Sequence, residues 1–556
     1  MFDRVLIANR GEIAVRIART LRELGVDSVA VYSDVDARSR HAASADEAIH
    51  LPGVAPAQTY MNVEALLDAA HSSGADAIHP GYGFLSENAD FAAAVGDAGL
   101  VWIGPPPEAT RAMGDKIRAR SIARSAGVPV VPGLWHAIED ACEIVEFGHR
   151  HGYPLALKAA GGGGGRGLRI ARSAADVEGA WASARREAQS YFGSDEVYVE
   201  RYLESPKHLE VQLLAPRPDD ALWLGVRDCS LQRRHQKIVE ETPPARPAPL
   251  EEMGRAAVTL AKACGYVNAG TVEMLVDRAG DFYLLEVNAR LQVEHTVTEE
   301  VLGLDLVACQ LRIASGEPLG LTQSDIVEHG HAIECRINAE DPARGFAPTP
   351  GVIHRFTAPE GLGVRVDSGY SSGDEVPQAY DSLIAKVIAW GPTREGARRR
   401  MLRALDEMAV EGIATTISAL RIVLGSDEFR SGTHSTTTLE SDLRASLEEL
   451  APRATTADVL LVEGAEVRLW SPAMSASASA ARAGGSLGYL VAPMQGTILE
   501  VLVGPGDEVE AGQPIVVLEA MKMETTLVAP IAGMIVALDA AAGATTAAGR
   551  VLARIG

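Results

Sequence analysis

The sequence predicts an α/β protein made of several domains and ending in a small all-β unit. Three observations predict it. Residues 4–104 alternate strand-like and helix-like patterns. A glycine run at 161–165 lies between two strand-like stretches. Near the C-terminus an eight-residue pattern recurs 37 positions later. With 556 residues, about four domains are expected.

The elements follow in order. Residues 5–9 read as a strand, an amphipathic helix runs to Leu24, and 26–32 read as a second strand. Alternation of this kind builds an open parallel sheet with flanking helices. Helical patterns continue to Arg124. Residues 153–160 and 168–171 read as strands around the glycines, and 196–246 and 268–297 are strand-rich. A helix is expected over 299–315, a β-rich block over 331–390 and a helical pair to about 447. Residues 453–470 carry two short apolar stretches that could pair as a hairpin. Residues 471–488 are small and nearly free of large apolar side chains, so they read as a linker.

The last segment carries the repeat. Val491-Ala492-Pro493-Met494-Gln495-Gly496-Thr497-Ile498 returns as Val528-Ala529-Pro530-Ile531-Ala532-Gly533-Met534-Ile535. The offset persists, with Gly506 matching Gly543 and Gly512 matching Gly549. Two strand-and-turn halves therefore form one unit, and the chain crosses between them near Lys522. A lysine at that crossing, with Met521 and Met523 beside it, is held out where a modifying enzyme can reach it.

Composition narrows the function classes. Net charge is −23, which argues against nucleic-acid or anionic-membrane binding. No apolar run is long enough to span a bilayer, and the N-terminus does not read as a signal peptide. The five cysteines are scattered with no C-x-x-C pair, so they are expected as buried thiols in a reducing cytoplasm.

Three segments carry the chemistry. The glycine run formally contains G-x-G-x-x-G, but a strand-like Leu168-Arg169-Ile170-Ala171 follows where a dinucleotide fold needs a helix. The loop therefore reads as a hairpin tip whose backbone N–H groups can close over phosphates, with Lys158 just before it. In 286–294 the even positions Glu286, Asn288, Arg290, Gln292 and Glu294 are polar, which puts them on one side of an extended chain. Pairing across the turn at 277–281 sets Glu273 opposite Glu286. Opposed like charges are unfavourable unless a cation bridges them, and two carboxylates with the Asn288 oxygen suit Mg²⁺ or Mn²⁺. Residues 227–241 pack positive charge into a strand-like stretch, either as a surface patch or as an anion site.

At this point the chain resembles the biotin-dependent carboxylases. Residues 1–447 look like biotin carboxylase, an ATP-grasp enzyme, through His79-Pro80-Gly81-Tyr82-Gly83-Phe84-Leu85-Ser86-Glu87-Asn88 and the three segments above. Residues 489–556, with Ala520-Met521-Lys522-Met523, resemble a biotin carboxyl carrier domain. The resemblance implies a Rossmann-like (pre-ATP-grasp) domain at 1–115, an ATP-grasp domain at 116–315 and a biotin carboxylase C-terminal α+β domain at 330–447. A linker at 448–488 and a flattened β-barrel biotinyl domain at 489–556 would follow.

The resemblance also implies roles. Lys116 and Lys158 would contact ATP phosphates under a lid containing Gly164 and Gly165. Glu200, Arg201 and Leu203 would lie at the adenine strand, with His208, Gln232 and His235 nearby. Glu273, Glu286 and Asn288 would hold metal. Lys237, Arg290 and Val293 would bind bicarbonate, Glu294 would be the general base, and Arg336 would meet biotin carried on Lys522. The two recognised parts leave only about 40 residues unassigned, too few for a carboxyltransferase domain. The expectation is therefore the α subunit of an acyl-CoA carboxylase, biotinylated by a biotin protein ligase and working in an oligomeric complex with a separate carboxyltransferase β subunit. The alternatives are a subunit of a pyruvate or other organic-acid carboxylase, a passive biotin carrier, and an unrelated ATP-grasp ligase.

Overall fold

The structure is a computed structural model. It describes residues 1–450 except 135, 137, 139, 160–167, 193–194 and 235, then 458–462 and 465–469, then 488–556 except 493–495, 521–522 and 547–548. The expected linker at 471–488 falls almost wholly outside these residues, as do Gly164, Gly165, His235 and Lys522.

The N-terminal region is the expected open parallel sheet. Its strands run in the order Glu47–His50, Asp27–Tyr32, Arg4–Ile7, Ala77–His79, Val101–Trp102. Val5, Leu6 and Ile7 are fully buried, as a central strand covered on both faces requires. The strand order reverses between Arg4–Ile7 and Ala77–His79. Loops leaving the two strands on either side of such a switch point form a crevice. Here they lead into Asn9 to Glu12, at the start of the helix Gly11–Leu24, and Tyr82 to Phe84, all of which line the main cavity.

A small antiparallel sheet follows, ordered Gly133–Leu134, Val197–Arg201, Leu155–Ala159, Leu168–Ala171. Lys158 pairs with Leu168, so the glycine run does join two neighbouring antiparallel strands. The large sheet has eight strands: Phe282–Asn288, Asn268–Val276, Lys207–Arg217, Asp220–Arg233, Gln236–Thr242, His331–Asn338, Leu383–Gly391 and Val364–Ser368. It runs without a break from the ATP-grasp region into the C-terminal region, because Gln236–Thr242 pairs with His331–Asn338. Leu231, Ile333, Ile337 and Val387 on these strands pack against Met401, Leu405, Leu420 and Phe429 of the following helices in one buried cluster.

The C-terminal unit shows the repeat at the level of whole strands. Gly496–Val501 corresponds to Gly533–Leu538, and Glu508–Val509 to Thr545–Thr546, each shifted by the same 37 residues seen in the sequence. The strands form two four-stranded sheets around Leu490, Ile498, Ile515, Leu518, Ile535 and Leu552. Ala520 pairs with Met523, the residues on either side of positions 521 and 522. The hairpin expected within 453–470 is present as Asp458–Val462 paired with Ala465–Leu469.

Three expectations need correction. The strand at 282 ends at Asn288, and residues 289–294 leave the sheet as a loop. Phe282–Asn288 is an edge strand, held by one neighbour only, and its last pair in the ladder is Thr271 with Asn288. The helix expected from 299 begins at His295, and 295–314 holds two helices, His295–Leu302 and Leu306–Ala314. Cys142 is exposed, because it lies in the first turn of the surface helix Ala141–His151, next to the capping Asp140. Cys264 is half-buried, and Cys229, Cys309 and Cys335 are buried. No helix among the described residues is long and apolar enough to cross a membrane.

Candidate active site

A cavity of about 990 Å³ opens where the parallel sheet, the small sheet and the large sheet meet. Lys237 stands at its centre. The register Gln232↔Lys237 places it just past a tight hairpin turn, and its ammonium reaches three carboxylates: Glu210 at 2.6 Å, Glu273 at 2.9 Å and Glu294 at 2.6 Å. Burial alone would drive the ammonium toward its neutral form, but the three carboxylates hold its pKa well above the ordinary lysine value.

Glu294 is fully buried, and both its oxygens are engaged. Oε1 accepts from Lys237, and Oε2 accepts from Arg336 at 2.9 Å. Burial raises its pKa, yet Lys237, Arg336 and Arg227 outweigh that and hold it well below the usual carboxylate range. Arg336 is itself anchored, its Nε donating to Glu240 at 2.6 Å. Burial dominates at Glu240 and pushes it up to about 7, although Arg336 pulls the other way.

The Glu273–Glu286 pairing is observed. A bulge between Glu273 and Met274 shifts the register by one toward the turn but leaves the two glutamates opposite each other. Glu273 accepts from Asn288 Nδ2 at 2.8 Å and from Gln292 Nε2 at 3.1 Å, and its other oxygen is 2.8 Å from His208 Nε2. Burial opposes ionisation there, and Lys237 and His208 overcome it, so Glu273 stays ionised. Arg290 comes from the loop. It reaches Glu87 at 3.0 Å, Gln292 at 2.8 Å and the Asn288 oxygen at 3.1 Å.

The cavity is also lined by Lys158, Glu200, Arg201, Leu203 and Gln232. Lys158 pairs with Glu200, and Arg120 approaches the same carboxylate at 3.5 Å. Arg201 is held by Asp277 at 2.8 Å. Lys116 opens the helix Lys116–Ser125. The structure thus gathers Lys158, Glu200, Arg201, Leu203, His208, Gln232, Lys237, Glu273, Glu286, Asn288, Arg290, Val293, Glu294 and Arg336 around one space.

The sequence reading missed Glu87, Glu210, Arg227 and Glu240. A signal existed for Glu210. His208, Glu210 and Gln212 alternate with Leu209, Val211 and Leu213, the same period-two stripe used at 286–294. Glu210 is fully buried and accepts from Arg227 Nε at 2.5 Å.

The chain matches family models along most of its length. "Biotin carboxylase, N-terminal domain" covers residues 1–110, and "Carbamoyl-phosphate synthase L chain, ATP binding domain" covers 115–322. "Biotin carboxylase C-terminal domain" covers 334–441 and "Biotin-requiring enzyme" covers 489–555. A relative from Mycobacterium leprae (strain TN), the "biotin-dependent acyl-coenzyme A carboxylase alpha3 subunit", is 44% identical over 99% of this chain and 98% of its own length. The chain belongs to the biotin-dependent carboxylases. It joins a biotin carboxylase and a biotinyl domain, and its cofactors are biotin, ATP and Mg²⁺.

Other relatives align over the biotin carboxylase part. A pyruvate carboxylase subunit from Methanothermobacter thermautotrophicus is 47% identical over 78% of this chain and 88% of its own. The biotin carboxylase domain dimer of Hydrogenobacter thermophilus 2-oxoglutarate carboxylase, solved with MgADP, ADP and bicarbonate, superposes with a TM-score of 0.76. It is 44% identical and covers 81% of this chain and 99% of that one.

The residues present fit these groups. Glu273, Glu286 and Asn288 offer the hard oxygen donors that Mg²⁺ prefers, on adjacent paired strands at the cavity wall. Lys158, Lys237, Arg290 and Arg336 gather positive charge for phosphate and bicarbonate in one space. The paired strands Pro514–Ala520 and Met523–Val528 flank Lys522, the position expected to carry biotin.

Proposed function

We propose that this chain is the α subunit of an acyl-CoA carboxylase, loading biotin on its own Lys522 for a separate carboxyltransferase β subunit that acts on acetyl- or propionyl-CoA. The single observation that carries the catalytic part is the buried contact of Lys237 and Arg336 with the two oxygens of Glu294. The end-to-end likeness to the Mycobacterium leprae α3 subunit supports the acyl-CoA assignment. Biotin protein ligase would recognise the domain at 489–556 and attach biotin.

Each residue has a role in this reading. Lys116 and Lys158, with the lid that contains Gly164 and Gly165, would hold the ATP phosphates. Glu200, Arg201, Leu203, His208, Gln232 and His235 would line the nucleotide site. Glu273, Glu286 and Asn288 would hold Mg²⁺, or Mn²⁺ in its place, which supplies positive charge to the phosphates. Lys237, Arg290 and Val293 would position bicarbonate, whose oxygen attacks the γ-phosphorus and displaces ADP, giving carboxyphosphate.

Glu294 takes the bicarbonate proton as that attack proceeds, and the C–O bond of carboxyphosphate then breaks to release CO₂ and phosphate. With Lys237 and Arg336 on its two oxygens, Glu294 is a poor base. When Lys237 turns to bicarbonate, that restraint weakens and the base strength of Glu294 rises. Biotin supplies the ureido nitrogen that takes up CO₂, and the proton of that nitrogen passes to the released phosphate. Arg336, anchored by Glu240, offers its guanidinium to negative charge developing on the ureido oxygen.

The purified chain should hydrolyse ATP and carboxylate free biotin when bicarbonate is present, and leave acetyl-CoA and propionyl-CoA unchanged. Carboxylation of an acyl-CoA by this chain alone would reject the split-subunit reading. A second reading, in which the chain serves an organic-acid carboxylase, draws on the 47% identity to the Methanothermobacter pyruvate carboxylase subunit. That likeness stops short of the biotinyl domain, covering 78% of this chain. Co-purification through the biotin group separates the two readings by the carboxyltransferase that comes along.

A further inference from the structure

Lys386 is fully buried, yet it touches the active-site loop from behind. It lies mid-strand, opposite Arg336 on one neighbouring strand and Asp367 on the other. Its Nζ donates to the Val293 carbonyl at 2.8 Å and stands 3.1 Å from Glu12 Oε1. That same Glu12 oxygen accepts the Tyr82 hydroxyl. Glu12, Tyr82, Val293 and Glu294 all line the cavity. One ammonium therefore ties together the first helix of the N-terminal domain, the loop at 289–294 and the C-terminal part of the large sheet.

Packing does not account for a lysine here. A buried ammonium loses its hydration and its rotamer freedom, and an apolar side chain of similar volume is often as good or better for stability. Burial favours the neutral amine, and the carboxylates of Glu12, Glu334 and Asp367 overcome that and keep the lysine charged. What methionine could not supply is the bond to Val293. The Val293 carbonyl and the Glu294 amide share one rigid peptide plane, so fixing the oxygen fixes the base of the Glu294 side chain. We propose that Lys386 is a positioning residue for the carboxylation reaction: it clamps the Val293–Glu294 peptide so that the Glu294 carboxylate stands between Lys237 and Arg336, and through Glu12 it ties that placement to Tyr82 in the cavity wall. This rests on the reading of Glu294 as the base.

The test uses the full chain in a Lys522→Arg background, so that the carried biotin plays no part, and follows bicarbonate-dependent ADP formation. The double variant Lys386→Met/Glu12→Gln removes the clamp without leaving Glu12 charged and unpaired. With the fold retained by thermal melting, kcat should fall by about 30-fold and KM for ATP should stay within about twofold, since a misplacement of about 1 Å can cost ~100-fold in rate. A folded double variant with unchanged kcat overturns the proposal. Should it fail to fold, the isosteric Glu12→Gln variant decides: a drop in kcat of about tenfold at constant KM for ATP supports the clamp, and parental kcat overturns it. Glu294→Gln is run alongside. Full turnover there removes the base assignment itself, whereas an inactive Glu294→Gln beside a fully active double variant overturns the positioning role alone.

Discussion

Replacing Lys237 with methionine probes the charge arrangement at the centre of the cavity. The ammonium contacts Glu210, Glu273 and Glu294 at 2.6, 2.9 and 2.6 Å, and all three carboxylates are buried. Methionine fills the space of the stem but brings no charge. Removing one partner from a buried ion pair costs about 3–5 kcal/mol. Each carboxylate keeps another basic partner, Arg227 at Glu210, His208 at Glu273 and Arg336 at Glu294, so the low end, about 3 kcal/mol, is expected. For a domain of about 150–250 residues each kcal/mol moves the melting midpoint by about 2–4 °C, giving a loss of about 6–12 °C.

The loss carries a pH signature. Burial opposes the ionisation of Glu273 and Glu294, and Lys237 is the first of the charges that overcome it. A carboxylate held below its unfolded pKa of about 4.3 adds stability that is present above that pH and lost below it. Without Lys237 the burial cost pushes these groups upward, and a raised carboxylate loses stability as pH rises. The gap between parent and variant is therefore wider at pH ~8 than at pH ~5.5. Thermal melts at both values measure it. An equal gap, or one wider in acid, would refute the charge arrangement described here. Bicarbonate-dependent ATP turnover should fall by about 10²-fold or more at neutral pH.

Other expectations follow from single residues. Arg336→Met should cut carboxylation of free biotin by about 10²–10³-fold while retaining more of the ATP cleavage than Lys237→Met does, measured by paired ADP and carboxylation assays. Lys522→Arg should abolish the streptavidin signal of the native chain and leave ATP-dependent carboxylation of added biotin intact. Leu405→Ala, in the buried cluster beneath Leu383–Gly391, should destabilise by about 2–5 kcal/mol in denaturant titration, without changing KM for ATP.

What could be read from the sequence was what repeats or faces one way locally. The 37-residue offset maps strand onto strand, because both halves of the biotinyl unit solve the same packing problem. The turn at 277–281 sufficed to oppose Glu273 and Glu286, even with a bulge in between. The stripe at 286–294 named residues that do share one cavity, but they do not share one strand face. Asn288 ends the strand, and Arg290, Gln292 and Glu294 reach the cavity from a loop. Long-range pairings left no local trace. Nothing near Thr242 announces that its strand joins His331–Asn338, and nothing near Lys386 points to Val293, 93 residues away.

The unread part is also where the site's electrostatics are decided. The sequence reading treated Lys237 as a bicarbonate ligand and Glu273 and Glu294 as separate metal and base residues. In the fold they are one buried network, in which Glu210, Glu240, Glu273 and Glu294 meet Arg227, Lys237 and Arg336. The lysine already has three anionic partners, so an incoming anion must compete for it. A cation at Glu273 and Glu286 would ease that competition, because it takes over the charge that Lys237 otherwise balances. On this reasoning nucleotide with its Mg²⁺ strengthens bicarbonate binding, and by reciprocity bicarbonate strengthens nucleotide binding by the same factor. Titrating ATP·Mg²⁺ with and without bicarbonate, in a Glu294→Gln background where turnover is expected to stop, measures that factor from both sides. A factor of one would mean that Lys237 is not shared between the two ligands' sites.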